Sequence, residues 1–157
     1  MKKAGFSLIE LMIVVAIIAF LAMVSVPTFQ KFLAKAKRAE AYMNLSSIYA
    51  AQKAYWAEQG KYTDALSGHN GAGWQPEGYK GGGSGENFYY TYGFPGTEGR
   101  NYFTGKLQTS SSHLSSARAG ANEFVAIAAG DILGNGKVDI IAVDHNNRIT
   151  VLQDALS

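Results

Sequence analysis

The 157-residue chain contains no cysteine. Disulfides, thiolate-held zinc and thiol nucleophiles are therefore excluded, although a missing cysteine does not place a protein in the cytoplasm. Charge of one sign is also scarce. The formal net charge is +2, and Lys2 and Lys3 alone account for it, so a chain cut after Gly5 carries 12 basic and 12 acidic groups. Such a balance implies no nucleic-acid partner. Local catalytic motifs are missing as well. His69, His113 and His145 lie far apart, and neither a phosphate loop nor a nucleophile elbow is present. Glycine is absent from the long stretch between Phe6 and Gln59, although the chain holds 18 glycines in all.

What the chain does have is unevenly placed. Nearly every residue from 6 to 26 is hydrophobic, whereas residues 60–116 are rich in Gly, Ser and Tyr. About 21 apolar residues, rising about 1.5 Å each as a helix, match the roughly 30 Å hydrocarbon layer of a bilayer. Lys2 and Lys3 precede this run without an acidic neighbour, an asymmetry that keeps the extreme N-terminus cytoplasmic and sends the remainder outward. A cleaved secretory signal is the competing reading, with Ala22 and Ser25 imitating its processing site, but its apolar region is shorter. It also leaves Glu10 unexplained. A carboxylate within an apolar span costs roughly 2.5–3.5 kcal/mol near the bilayer centre and less towards the headgroups, where Glu10 could instead be solvated.

Lys2-Lys3-Ala4-Gly5-Phe6-Ser7-Leu8-Ile9-Glu10-Leu11-Met12 resembles the processing motif of type IV pilins and the related pseudopilins of type II secretion. The resemblance covers the basic leader ending in Gly5, the Phe6 that follows it, the acidic Glu10 and the apolar run to Pro27. It implies cleavage between Gly5 and Phe6 by a membrane prepilin peptidase, N-methylation of Phe6, and single-pass residence in the inner membrane. Handling by an assembly platform and polymerisation into a helical homo-oligomer at the cell surface would follow. The new Phe6 ammonium would then give Glu10 a counter-ion, in a filament from the neighbouring copy. Because a buried charge is tolerated only when paired, that pairing would select one axial register. No enzyme activity and no cofactor are implied.

Pro27 removes a backbone hydrogen bond and clashes with the Met23 carbonyl, so a kink or local melting is expected at residues 22–26. The many pilins with a glycine in this run would melt more readily than this chain. Beyond it, Phe32, Ala36, Ala39, Met43, Ser46 or Ser47, Ala50 and Ala54 recur at helical steps, and Tyr42, Leu45, Tyr49, Gln52 and Trp56 mark a second face. One face is expected to meet a globular head and the other to meet neighbouring helices. Lys31, Lys35, Lys37 and Arg38 cluster just past the apolar span, suited either to lipid phosphates before assembly or to solvent and the acidic groups of packed copies. Asn44-Leu45-Ser46 fits the glycosylation sequon by chance, given its mid-helix position.

The expected architecture is α+β, with a long N-terminal helix packed on a small antiparallel sheet. Its organisation reads as a leader at residues 1–5, a membrane and filament-core helix at 6–29, an amphipathic continuation at 30–59 and a head at 60–157. Strands are expected at 87–94, 101–107, 123–129, 138–143 and 148–152, with Asn146-Asn147 as the last turn. The rings of Phe88-Tyr89-Tyr90-Thr91-Tyr92 should alternate between core and surface. Asp131, Asn135 and Asp139 have a spacing reminiscent of a calcium loop, but Leu133 and Ala142 stand where further ligands belong, and a Gly-Asn-Gly hairpin explains the segment as well. A pseudopilin and a monomeric membrane-anchored binding module remain the alternatives in function. The Gly/Tyr-rich middle, suited to display, favours the pilus.

Overall fold

The computed structural model describes residues 5–157, so the basic part of the leader lies outside the described residues. Helix α1 (Leu8–Gln59) is followed by β1 (Thr91–Gly93), β2 (Tyr102–Phe103), a short 3-10 turn (Ser111–Leu114), β3 (Arg118–Ala119), β4 (Phe124–Gly130), β5 (Asp139–Asp144) and β6 (Ile149–Gln153). The expected α+β class is what is observed. The chain divides into two compact units, with the boundary between Leu33 and Ala34.

The described part of the first unit is a largely apolar helix. Residues 5–33 are all exposed, and by length and composition this stretch of α1 is apolar enough to cross a membrane. In water such a surface would be strongly unfavourable, so it calls for lipid or for other helices.

The second unit builds the head on residues 34–59 of α1 together with everything that follows. Ala34, Ala41, Leu45, Ile48 and Gln52 are fully buried, at steps of seven, four, three and four that place them on one helical stripe. Leu45 and Gln52 belong to the second face marked out in the sequence, which is thus the one nearer the head. Tyr42 and Trp56 stay largely exposed, at 36% and 45%, because the helix is rotated so that the smaller Ala41 and Ile48 face the sheet. Gln52 is buried without cost in polarity. Its amide donates to the Thr63 carbonyl and accepts the Thr63 N–H, pinning the chain just after the helix.

The antiparallel sheet runs in the order β2-β1-β4-β5-β6, with β3 pairing a further stretch of β4. β4 and β5 form its longest ladder, from Val125 opposite Asp144 to Gly130 opposite Asp139. The last three expected strands appear within one residue of their expected bounds. The first two shrink to three and two residues, because the surrounding segments spend their backbone groups on irregular loops. Two-residue β3 was not anticipated. The turn into β6 uses Asn146 and Asn147 as expected, with Asn147 at φ 60° and Asp144 Oδ1 accepting two backbone N–H groups.

The aromatic run alternates as the strand period requires. Phe88, Tyr90, Tyr92 and Phe94 are buried while Tyr89 is half-exposed, although Thr91 is buried too, its hydroxyl donating to the Thr109 carbonyl. Trp74 lies edge-on to both Tyr92 and Phe103 and donates its indole N–H to Ser47 on α1.

Candidate assembly surface and the groups around it

The N-terminal end of α1 is closed by a device in its first turn. Ser7 Oγ accepts the Glu10 N–H at 3.3 Å, while Glu10 Oε2 accepts both the Ser7 N–H at 2.9 Å and the Ser7 hydroxyl at 2.7 Å. This reciprocal Ser-x-x-Glu arrangement satisfies helix-end donors that would otherwise be orphaned. Gly5 and Phe6 therefore lie outside the helix, and Phe6 is 79% exposed. The Ser7 role is legible in the Ser-x-x-Glu spacing, a reading of Glu10 distinct from both the solvated acid and the acid seeking a cation. No ion pair among the described residues involves Glu10.

At Pro27 the helix does not break. α1 is continuous across residues 22–28, so the local melting expected there is not present in the single chain. Ser25 and Thr28 instead fold their hydroxyls back onto the carbonyls of Leu21 and Val24, at 2.8 and 3.0 Å. Such back-bonding occupies carbonyls around a proline site and keeps these polar groups satisfied within an apolar helix.

The face with Phe32, Ala36, Ala39, Met43, Ser46, Ser47, Ala50 and Ala54 is exposed throughout, opposite the stripe buried in the head. Its small residues permit close approach of another helix. The basic cluster divides. Lys37 donates to the Ile132 carbonyl at 3.0 Å, and Arg38 turns into the head, whereas Lys31 and Lys35 are exposed.

Arg38 is the centre of the head's one buried charge network. Asp139, fully buried, accepts from the Arg38 guanidinium in a two-pronged contact, from the Tyr90 hydroxyl at 2.7 Å and from the Ala155 N–H at 3.0 Å. The same guanidinium pairs with Asp154, tying the C-terminal segment to α1. Burial opposes the Arg38 charge, but the hydrogen bonds to Asp139 and Asp154 outweigh it and hold its pKa above the ordinary value. For Tyr90, burial first and then the bond to Asp139 raise the phenol pKa. Tyr92 is raised by burial and by the charge of Glu40, which accepts its hydroxyl at 2.9 Å.

The three calcium candidates, Asp131, Asn135 and Asp139, are each engaged by donors of the chain itself. Asp139 is saturated by the donors just named. Asp131 accepts the backbone N–H groups of Gly134, Asn135 and Gly136, and Asn135 Oδ1 accepts that of Lys137, so these side chains shape the β4–β5 hairpin. No group of three or more His, Cys, Asp or Glu suited to a metal ion is found among the described residues.

Against known proteins, residues 1–26 match the family model described as the prokaryotic N-terminal methylation motif. The chain is 47% identical over 76 residues to the type IV major pilin protein PilA of Myxococcus xanthus, covering 48% of this chain and 33% of that protein. It is 40% identical over 62 residues to the type IV major pilin protein PilE1 of Neisseria gonorrhoeae, covering 40% of this chain and 38% of PilE1. With the fimbrial protein EcpC of Eikenella corrodens the figures are 39% over 58 residues, 37% of this chain and 38% of EcpC. The chain thus matches little more than a third of the length of these curated relatives. The resemblance drawn from the residues around Gly5, Phe6 and Glu10 is to the family in which these matches fall.

Proposed function

We propose that this chain, with the N-terminal methylation motif and the likeness to type IV pilins, is the precursor of a structural pilus subunit. In this reading a prepilin peptidase removes residues 1–5 and methylates Phe6. The subunit then waits as a single-pass protein of the inner membrane, and the assembly platform extracts it into a homo-oligomeric filament at the cell surface. The observation that carries the proposal is the motif at residues 1–26 together with a helix that is largely apolar and exposed over residues 8–33.

Packed against copies of itself, that surface supplies cohesion. At about 25 cal/mol per Å² of apolar surface, a few hundred Å² per neighbour holds strongly when repeated along a fibre. Greasy surfaces alone specify register poorly, and Glu10 supplies the specification. Its carboxylate accepts from Ser7 through Oε2, and the Phe6 ammonium of a neighbouring copy completes its charge pairing. Before assembly, the capping arrangement with Ser7 and the headgroup region share the burden of that charge.

The proposal is tested by exchanging Glu10 for Ala while following processing, membrane insertion and filament yield. Filaments should be lost while insertion survives or improves. Undiminished filaments, or mature protein beginning elsewhere than Phe6, would overturn it. A type II secretion pseudopilin shares the same N-terminus, but the relatives matched are named as pilins and fimbrial proteins. Fibres visible on cells that carry the gene and missing from cells that lack it separate the two readings.

A further inference from the structure

Under the glycine run of the head, two carboxylates converge on one residue. Glu86 is 1% exposed, and its Oε1 accepts the N–H groups of Lys80 and Gly82 at 2.8 and 2.9 Å. Glu98 accepts the Tyr79 hydroxyl at 3.1 Å and the Thr104 N–H at 2.8 Å through Oε1, and the Thr104 hydroxyl at 2.7 Å through Oε2. Both abut Gly82, whose N–H reaches Glu86 and where a Cβ would lie 2.7 Å from Glu98 Oε1. Gly81, Gly82 and Gly83 have φ of 112°, 92° and 103°, a conformation that side chains resist. The glycines are thus what brings the backbone against both acids.

Glu86 Oε2 is buried and has no hydrogen-bond partner. No ion pair among the described residues includes Glu86 or Glu98, and the nearby Lys80 ammonium is spent on the Gly85 carbonyl at 2.9 Å. Buried carboxylates are stable when they are paired or coordinate a metal, and this one keeps an oxygen without a partner while a second acid meets the same glycine. The donors on offer are all hard oxygens, without His or Cys, which selects the calcium class over transition metals.

We propose that Glu86 Oε2 and Glu98, beneath the turn at residues 81–83, hold a calcium ion whose coordination is completed by main-chain oxygens of the loop and by water. The ion clips the turn at 79–86 to the segment at 98–104. With only two carboxylates its affinity should fall on the order of 10⁻⁴–10⁻³ M, the range of extracellular modules. This site is separate from the Asp131 hairpin, and the inference does not depend on filament assembly.

The test uses the full chain in detergent micelles, stripped with chelator and titrated with terbium, whose emission is sensitised by a nearby tyrosine such as Tyr79. Wild-type protein and Asp131→Asn should show saturable emission that millimolar calcium displaces. Glu86→Gln and Glu98→Gln should bind about tenfold more weakly or worse. Calcium should also raise the wild-type Tm by several degrees and leave that of Glu86→Gln unmoved. Because Glu86→Gln retains the Oε1 acceptor and loses the buried charge, its Tm without calcium should equal or exceed that of cation-free wild type, which verifies folding. Equal terbium binding by wild type and Glu86→Gln, or a wild-type Tm indifferent to calcium, would refute the site and assign the open oxygen to a water or a proton.

Discussion

Residues 8–33 and residues 34–157 solve the problem of polar and apolar groups in opposite ways. In the head, most buried polar groups are met inside the same chain. Gln52 is paired with Thr63, Tyr92 with Glu40, and Asp139 with Arg38, Tyr90 and Ala155. In the N-terminal helix polar side chains are also satisfied locally, by Ser7 with Glu10 and by the back-bonded Ser25 and Thr28, yet the apolar side chains stay exposed. A hydrogen bond can be closed within one turn of helix, whereas a hydrophobic face needs a second surface. The head carries its own second surface. The N-terminal helix must borrow one from lipid or from other copies.

The largest test of this contrast is Arg38→Ala. It strands a buried carboxylate, so the head should lose about 3–5 kcal/mol in denaturant unfolding of the full chain, with membrane insertion unchanged. Unaltered stability would mean that Asp139 is not held by that pair. Next, Leu45→Ala should cost about 2–5 kcal/mol in the same measurement, and Ile13→Ala should change head stability by less than about 0.5 kcal/mol. Equal costs at the two positions would erase the distinction between the regions.

Smaller still, Ser7→Ala should weaken the helix start by about 1 kcal/mol, seen as faster amide exchange in the first turn with head unfolding unaffected, while Ser7→Asp or Ser7→Thr retains the cap. The smallest effect concerns pH. Tyr79, Tyr90 and Tyr92 all have folded pKa values above the free value of about 10. Their contribution is complete below about pH 10 and is lost as pH rises from there through the folded values, so head stability should decline above about pH 10, the Tyr79 share being spent near 12. Tyr79→Phe should make the decline between about 10 and 12 shallower without removing it. An unchanged alkaline profile would show that its hydroxyl is not held by Glu98.

Much of this was legible in the residues. The apolar run, the acid within it and the turn residues between the last strands are local patterns, and the three C-terminal strands are short apolar runs bounded by turn residues, which places them within a residue. The rest depended on partners distant in the chain. Arg38 was grouped with Lys31, Lys35 and Lys37 because sequence shows neighbours along the chain, and Asp139, 101 positions away, was counted as a calcium candidate for the same reason. The rotation of α1 that exposes Tyr42 and Trp56 was hidden too, since several stripes of that helix are apolar enough to be buried. Likewise, nothing local in the sequence singles out Glu86 and Glu98, which only the folded glycine turn brings to Gly82.

The amino-acid order by itself determined that there are two environments, where the chain passes from one to the other, and which acid sits among hydrocarbon side chains, because hydropathy and local turn chemistry act over a few residues. Tertiary structure alone decided which charges neutralise one another inside the head and which face of α1 is left for a neighbour. Those outcomes are set by the geometry of packing a helix on a twisted sheet, where a rotation of one residue step changes every contact.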